Sequence, residues 1–147
     1  MALDTIAEIE ISYNPEIRPS DRIQIKGSDK VADVLIQDWE NLELYETFKI
    51  MLLNRANRVL GVSTHSKGGI AGTVIDVRLI LATALKAGAC QIIIAHNHPS
   101  GNLNPSEVDM TITNKIKAGC KAVDITLLDH IILTSESFFS FSDEGLI

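Results

Sequence analysis

Apolar positions along this chain recur either every second residue or at helical spacing, and the switches between the two outline the elements. Residues 6–13 alternate as Ile-Ala-Glu-Ile-Glu-Ile-Ser-Tyr, which predicts a half-buried edge strand broken by Asn14-Pro15. Ile23 and Ile25 predict a second short strand before Gly27. Ser28 then stands where a cap is expected, ahead of a helix with Val31, Val34, Leu35 and Trp39 at helical spacing. Residues 45–53 predict a strand with Phe48, Ile50 and Leu52 on one face and Thr47, Lys49, Met51 and Leu53 on the other. A polar hairpin turn over 54–58 returns as a strand over 59–63.

The loop Lys67-Gly68-Gly69-Ile70-Ala71-Gly72 leads to Asp76, which is placed to cap a helix. Val77, Ile80, Leu81, Ala84 and Leu85 form its apolar stripe, and Gly88 closes it. The run from Cys90 into His96 contains Ile92-Ile93-Ile94-Ala95, the mark of a central strand buried on both faces. A further helix is expected with Asn104 as N-cap, Pro105 as first residue and Glu107 as capping-box partner. Its buried stripe would be Val108, Ile112 and Ile116, and Gly119 would end it. Residues 123–134 predict one strand or two joined by a bend, and 137–141 a last short strand. Hairpins and helical crossovers thus alternate, which predicts an α/β fold with a mixed sheet sandwiched by helices.

A chain of 147 residues, 46% hydrophobic and 22% charged, supports one domain with a real core and hardly two. Residues 1–40 are expected as an N-terminal extension packing on the core, and residues 41–147 as the domain that carries the chemistry. A net charge of −6 disfavours a sequence-independent grip on nucleic acid, where a basic face supplies most of the affinity. Cys90 and Cys120 lie too far apart for a paired metal motif and read as reduced thiols. No secretion signal and no membrane-length apolar run is expected, so the predicted setting is soluble and cytoplasmic.

The chemistry concentrates between His96 and Asp109. His96 and His98, two apart, can face one way at a strand end, and Ser106 and Asp109 stand three apart at the start of the next helix. Two neutral imidazoles and one carboxylate suit zinc, and three protein ligands leave a fourth position open, as catalytic sites do. Upstream, Glu46 falls in phase with the apolar row Phe48, Ile50 and Leu52. A carboxylate there is costly unless it is paired, metal-linked or functional. Glu43, its nearest competitor, has the opposite phase. The loop over 67–72 lacks the Gly-Lys-Ser/Thr ending of a phosphate cradle. Arg55 and Arg58 read as solvated turn charges and His65 as a surface histidine. Asp129 and His130 are neighbours on a strand and point to opposite faces, so a direct relay between them is not expected, and His130 reads as a structural or supporting residue.

The full pattern, His-x-His, seven residues, then Ser-x-x-Asp, resembles the JAMM motif of the JAB1/MPN metalloproteases. The surrounding His96-Asn97-His98-Pro99-Ser100-Gly101 and the later Leu128-Asp129-His130 resemble the bacterial RadC-like branch of that superfamily. The resemblance covers roughly residues 40–147 and implies a JAB1/MPN fold of the cytidine-deaminase-like kind. It implies Zn2+ held by His96, His98 and Asp109. Glu46, the position that matches the family's upstream glutamate, would be the general base and then acid, with Ser106 as oxyanion donor. The expected reaction is hydrolysis of a polypeptide amide or isopeptide bond. A metal-dependent nuclease or DNA-repair-associated protein is one rival, and a non-catalytic MPN scaffold another. Relatives of this type usually carry a helix-hairpin-helix DNA-binding region, which is not expected in these 147 residues. A deaminase is disfavoured because the Cys-x-x-Cys zinc ligands are missing.

Overall fold

The computed structural model describes residues 6–68 and 74–147. Its elements run α1 (Ser28–Gln37), β1 (Thr47–Leu53), β2 (Val59–Lys67), α2 (Val77–Lys86), β3 (Gln91–Asn97), α3 (Glu107–Ala122), β4 (Thr126–Leu133) and β5 (Phe138–Ser140), with a short 3-10 turn at Pro19–Asp21. The five strands form one sheet in the order β2-β1-β3-β4-β5. β3 and β4 run parallel, joined through α3, while every other neighbouring pair is antiparallel. This is the mixed α/β sandwich that the alternation of hairpins and crossovers predicts, and it is consistent with the JAB/MPN fold.

Strand phase decides the layers. Phe48, Ile50 and Leu52 of β1 and Ile92 and Ile94 of β3 pack against Ile80 and Ala84 of α2 and Ile116 and Cys120 of α3. Met51, Leu53, Ile93 and Ala95, with Ile131 and Leu133 of β4, pack on the opposite face against Val31, Ala32 and Leu35 of α1 and against Trp39. Lys49, on that second face, lays its ammonium 5.0 Å over the Trp39 ring and donates to the Asp38 carbonyl at 3.1 Å. Its stem thus covers apolar surface while its charge stays satisfied. Cys90 and Cys120 are both free thiols. Burial pushes the Cys120 thiol up to about 11, so it packs as a neutral core residue. Among the described residues no helix is long and apolar enough to cross a membrane.

Several boundaries differ from those expected, each for an identifiable reason. Residues 6–13 are not a strand: Ile9 and Ile11 are 89% and 79% exposed. Alternation supplies a face, but a strand also needs a ladder partner, and among the described residues it is the Tyr13 hydroxyl that reaches β2, donating to the Leu60 carbonyl at 2.6 Å. Around Ile23 and Ile25 the chain makes a single bridge, Gln24 to Arg58, not a full strand. Gly27, not Ser28, caps α1, and the Ser28 hydroxyl is drawn away to the Asp143 carboxylate. β1 starts at Thr47, leaving Glu46 just outside it, and β2 continues to Lys67. Of the glycine loop expected over 67–72, Lys67 belongs to β2 and residues 69–72 lie outside the described residues. Asp76 does cap α2, accepting from the Arg78 backbone N–H at 2.9 Å. Gly119 does not end α3. It sits inside the helix where a Cβ would come within 3.2 Å of Leu81, so it lets α3 approach α2 closely, and the chain turns instead at Asp124, with φ of 58°. Residues 126–133 form one strand with an irregular register near Ile92/Ile93.

Candidate metal centre

β3 ends at the sheet edge nearest the start of α3, and the residues that carry the chemistry meet there. His96 is the penultimate residue of β3, and His98 follows the strand, its backbone N–H still bonded to the Leu133 carbonyl at 2.9 Å. Asn97 lies between them, fully buried and turned to the other side. Its side-chain oxygen accepts from the Thr47 N–H at 2.7 Å, while its amide donates to the Leu42 and Tyr45 carbonyls at 2.9 and 2.8 Å. One side chain thereby clamps the segment 42–47 against β3. The Glu46 carbonyl is fixed from the other side by the Gly68 N–H at 2.8 Å. Glu46 therefore enters the site on an anchored backbone.

α3 begins in a different frame from the one the sequence suggests. Ser106 is the N-cap, not Asn104, whose N–H is taken by the Asn102 side chain at 3.0 Å. The Ser106 hydroxyl accepts from the Asp109 N–H at 3.0 Å, and the Asp109 carboxylate accepts from the Ser106 N–H at 2.9 Å. The Ser-x-x-Asp of the motif is itself the reciprocal capping box. With Asp109 turned inward, the buried stripe becomes Asp109, Thr113, Ile116 and Cys120, and Val108 is 75% exposed instead of buried. The Ser106 oxygen accepts the capping bond through a lone pair, which leaves its own proton free to donate.

Glu46, His96, His98 and Asp109 each offer a ligand atom, and the four atoms lie within 4.8 Å of one another. His96 Nε2 is 2.9 Å from His98 Nε2 and 3.3 Å from Asp109, and His98 Nε2 is 3.2 Å from Asp109. A tetrahedral shell of nitrogen and oxygen ligands at ~2.0–2.1 Å places its donors roughly 3.3 Å apart. Glu46 stands further back, 3.8 Å from His96 Nε2. The His98 Nδ1 is 2.6 Å from the Asn102 carbonyl, which can only accept, so Nδ1 carries the proton and Nε2 turns its lone pair inward. Two imidazole nitrogens and two carboxylates pointing at one small volume can share a single cation between them. The donor set therefore fits a metal ion by its chemistry as well as by its spacing.

Titration follows the same logic. The hydrogen bond to Asp109 raises the His98 pKa above its ordinary 6.5, against the lowering effect of burial. Burial alone would push the Asp109 carboxyl up, but the His96 and His98 imidazoles and the Ser106 N–H outweigh it and hold it well below the usual carboxylate range. His130, fully buried, is pushed down by desolvation and by His96, and stays neutral. Because His98 holds its proton to a higher pH than free imidazole, protons compete with a metal from above pH 6.5 downward. Metal affinity should therefore fall steadily in chelator competition as pH is lowered through the raised His98 value and on below 6.5. The sign reverses for the metal-free protein: the His98–Asp109 pair contributes its full stability between the ordinary carboxylate value of 3.8 and 6.5. It loses the histidine's share as pH rises through the raised His98 value, and the carboxylate's share as pH falls below 3.8. Affinity that is flat across this range would contradict a histidine-ligated site.

An open cleft of about 610 Å3 borders the group, lined by Glu43, Leu44, Glu46, His98 and Ser106 among others, with no lysine or arginine among its described lining residues. Glu43 reaches the cleft but not the four-atom group. His65 is not a surface histidine. It is half-buried against the edge of Phe48, and its Nε2 accepts from the Asp76 N–H at 3.0 Å. Arg58 is likewise not merely solvated, since it donates to the Arg22 carbonyl at 2.9 Å. Asp129 and His130 do point to opposite faces. Asp129 accepts from Ser140 and from the Ser142 and His130 backbone N–H groups, while the His130 ring lies 2.7 Å from His96. Asn97, Thr113 and His130 were not marked as site residues by the sequence. Thr113 stands one helical turn after Asp109, and His130 reads from sequence only as a structural or supporting residue.

Comparison with known proteins agrees with this geometry. The RadC-like JAB domain model matches residues 25–146. A UPF0758 protein of Flavobacterium johnsoniae is 40% identical over 147 residues, covering 99% of this chain and 63% of that protein. A UPF0758 protein of Haemophilus ducreyi is 41% identical over 114 residues, 78% of this chain and 51% of the relative, and one of Porphyromonas gingivalis is 39% identical over 103 residues, 69% and 45% respectively. The chain thus spans about half to two thirds of the length of the relatives it matches. With the motif residues gathered at one strand end and the match running across the sheet and all three helices, the chain belongs to the RadC-like JAB domain family.

Proposed function

We propose that this domain is a zinc-dependent hydrolase of the JAMM type that cleaves a polypeptide amide or isopeptide bond. The observation that carries the proposal is the convergence of Glu46, His96, His98 and Asp109 within 4.8 Å beside an open cleft. His96, His98 and Asp109 would hold the ion. When bound, zinc supplies Lewis acidity and brings the pKa of a coordinated water down towards neutrality. Glu46, set back from the histidines on its clamped segment, takes the proton of the attacking water and returns it to the leaving amine. The Ser106 hydroxyl, whose proton the capping bond leaves free, donates to the oxygen of the scissile carbonyl as charge develops there, an effect worth about 10²–10³-fold in rate for comparable donors.

The electrostatics of the cleft favour an amide over a phosphodiester. A phosphoryl-transfer site normally neutralises several anionic oxygens with cations, whereas this lining carries Glu43 and Glu46 and no described lysine or arginine. Arg55 and Arg58 belong to the hairpin at the far end of β1, roughly 20 Å of extended chain from Thr47. The protein as purified and after incubation with zinc should contain about one zinc per chain. Loaded protein should then be tested on peptide and isopeptide libraries and on single- and double-stranded DNA. Glu46-dependent cleavage of an amide substrate is the expected outcome. Glu46-dependent cleavage of DNA would replace the peptidase reading with a nuclease, and zinc without any turnover would favour the scaffold.

A further inference from the structure

Behind the four-group cluster lies a second row of polar side chains that the mechanism does not use. His130 is 0% exposed and Thr113 1%. The Thr113 hydroxyl is 2.6 Å from the Asp109 carbonyl and 2.6 Å from His130 Nδ1, and His130 Nε2 is 2.7 Å from His96 Nδ1. The protons in this row can be assigned by elimination. A hydroxyl has one proton and two lone pairs, and a carbonyl has none to give. At 2.6 Å the Thr113–Asp109 contact is attractive only if the threonine proton lies on it. Thr113 then has nothing but a lone pair to offer His130, so His130 Nδ1 must carry the proton. A neutral imidazole protonated at Nδ1 bears its lone pair at Nε2 and can only accept there, so His96 Nδ1 must donate. His96 is left with a bare Nε2, aimed at Asp109 and His98.

We propose that Thr113 and His130 are positioning residues that lock His96 in its Nδ1–H tautomer, so that Nε2 is always presented for coordination. The inference rests on the metal reading above and deepens it. Free imidazole samples both tautomers, and the wrong one would put a proton where the ion belongs. The His130 ring cannot swing away, because it is stacked on Phe141 at 4.5 Å and meets the edge of Phe48 at 6.0 Å. The row begins at the backbone of Asp109, so the helix turn that delivers the carboxylate also sets the polarity of the opposing histidine. From the Asp109 carbonyl to His96 Nδ1, carbonyl, hydroxyl and two imidazoles form a one-way chain of donors and acceptors in which no single member can be reversed without setting two lone pairs or two protons face to face. The lone pairs that do face each other, those of His96 and His98 Nε2 at 2.9 Å, are the ones a cation would bridge.

The test uses Thr113→Val, which keeps the shape and removes the hydroxyl, and Thr113→Ser, which restores it. Zinc affinity is read by competition with a chromophoric chelator. Histidine tautomers are read by long-range proton–nitrogen correlation on zinc-free protein, with circular dichroism as the check on folding. Thr113→Val should bind zinc about 10–100-fold more weakly, as losses behind the coordination shell do, and Thr113→Ser should stay close to wild type. In wild type and Thr113→Ser, His96 and His130 should both appear as Nδ1–H, whereas Thr113→Val should show His96 with substantial Nε2–H character. Wild-type His96 found as Nε2–H would overturn the proposal. So would a folded Thr113→Val with unchanged zinc affinity and an unchanged His96 tautomer, an outcome that leaves the metal reading intact. Wild-type protein that binds no zinc yet shows both Nδ1–H tautomers would sink the metal reading and support the lock.

Discussion

Glu46→Gln is expected to retain full zinc content and an unchanged fold while losing about 10²–10⁴-fold or more in turnover. Glutamine preserves the size of the side chain and the anchored backbone at 42–47, so nothing that positions the segment is disturbed. What it removes is the ability to take a proton. The carboxylate stands 3.8 Å from His96 Nε2, further back than the 3.3 Å of Asp109, in keeping with a group that serves the water and not the ion. Zinc analysis and steady-state rates on the same preparation separate the two roles. A variant that loses zinc would make Glu46 a ligand. A variant with near-normal activity would pass the role of base to Glu43, the other carboxylate at the cleft.

Removing a ligand should have the largest effect on binding. His96→Ala and Asp109→Ala are expected to reduce zinc to background, a loss beyond the ~10–100-fold typical of residues behind the shell. Asp109 has a second task, because its carboxylate completes the α3 cap, and loss of a cap costs about 0.5–2 kcal/mol. Asp109→Asn separates the tasks. The asparagine oxygen can still accept the Ser106 N–H, and the Ser106 hydroxyl still accepts from the backbone at 109, yet the anionic ligand is gone. Asp109→Asn should therefore melt close to wild type while failing to hold stoichiometric zinc in elemental analysis. Full zinc occupancy in that variant would remove Asp109 from the ligand set.

Much of this site was legible because its parts are local. His96 and His98 sit within three residues of each other at the end of an apolar run, and Ser106 and Asp109 within one helical turn, so short-range geometry fixes each pair. The errors arose where a local rule had two solutions. Both Asn104-Pro105 and Ser106 can open a helix, and the choice of Ser106 came from the inward pull of Asp109 towards the histidines. Val108 then lost its place in the core by a shift of register, not by any change in its own preference for burial. Gly119 reads as a terminator in isolation, but helix packing against Leu81 gives it a different use.

The sequence by itself determined the periodicity of each segment, the two-sided burial of β3 and the spacing of the histidine and carboxylate pairs, because each depends only on residues near one another in the chain. Tertiary structure alone decided that residues 6–13 form no strand, since a ladder needs a partner that alternation cannot supply. It also decided that Glu46 meets residues fifty and more positions away, through Asn97 clamping segment 42–47 to β3. The Thr113–His130 row belongs to the same class. Its members lie on α3 and β4, and only the register that sets His130 beside Ile94, with His96 two residues on along β3, brings an imidazole against the ligand it orients. Hydrogen bonds of this kind are fixed by distances of a few tenths of an ångström between segments remote in sequence, and no local pattern encodes them.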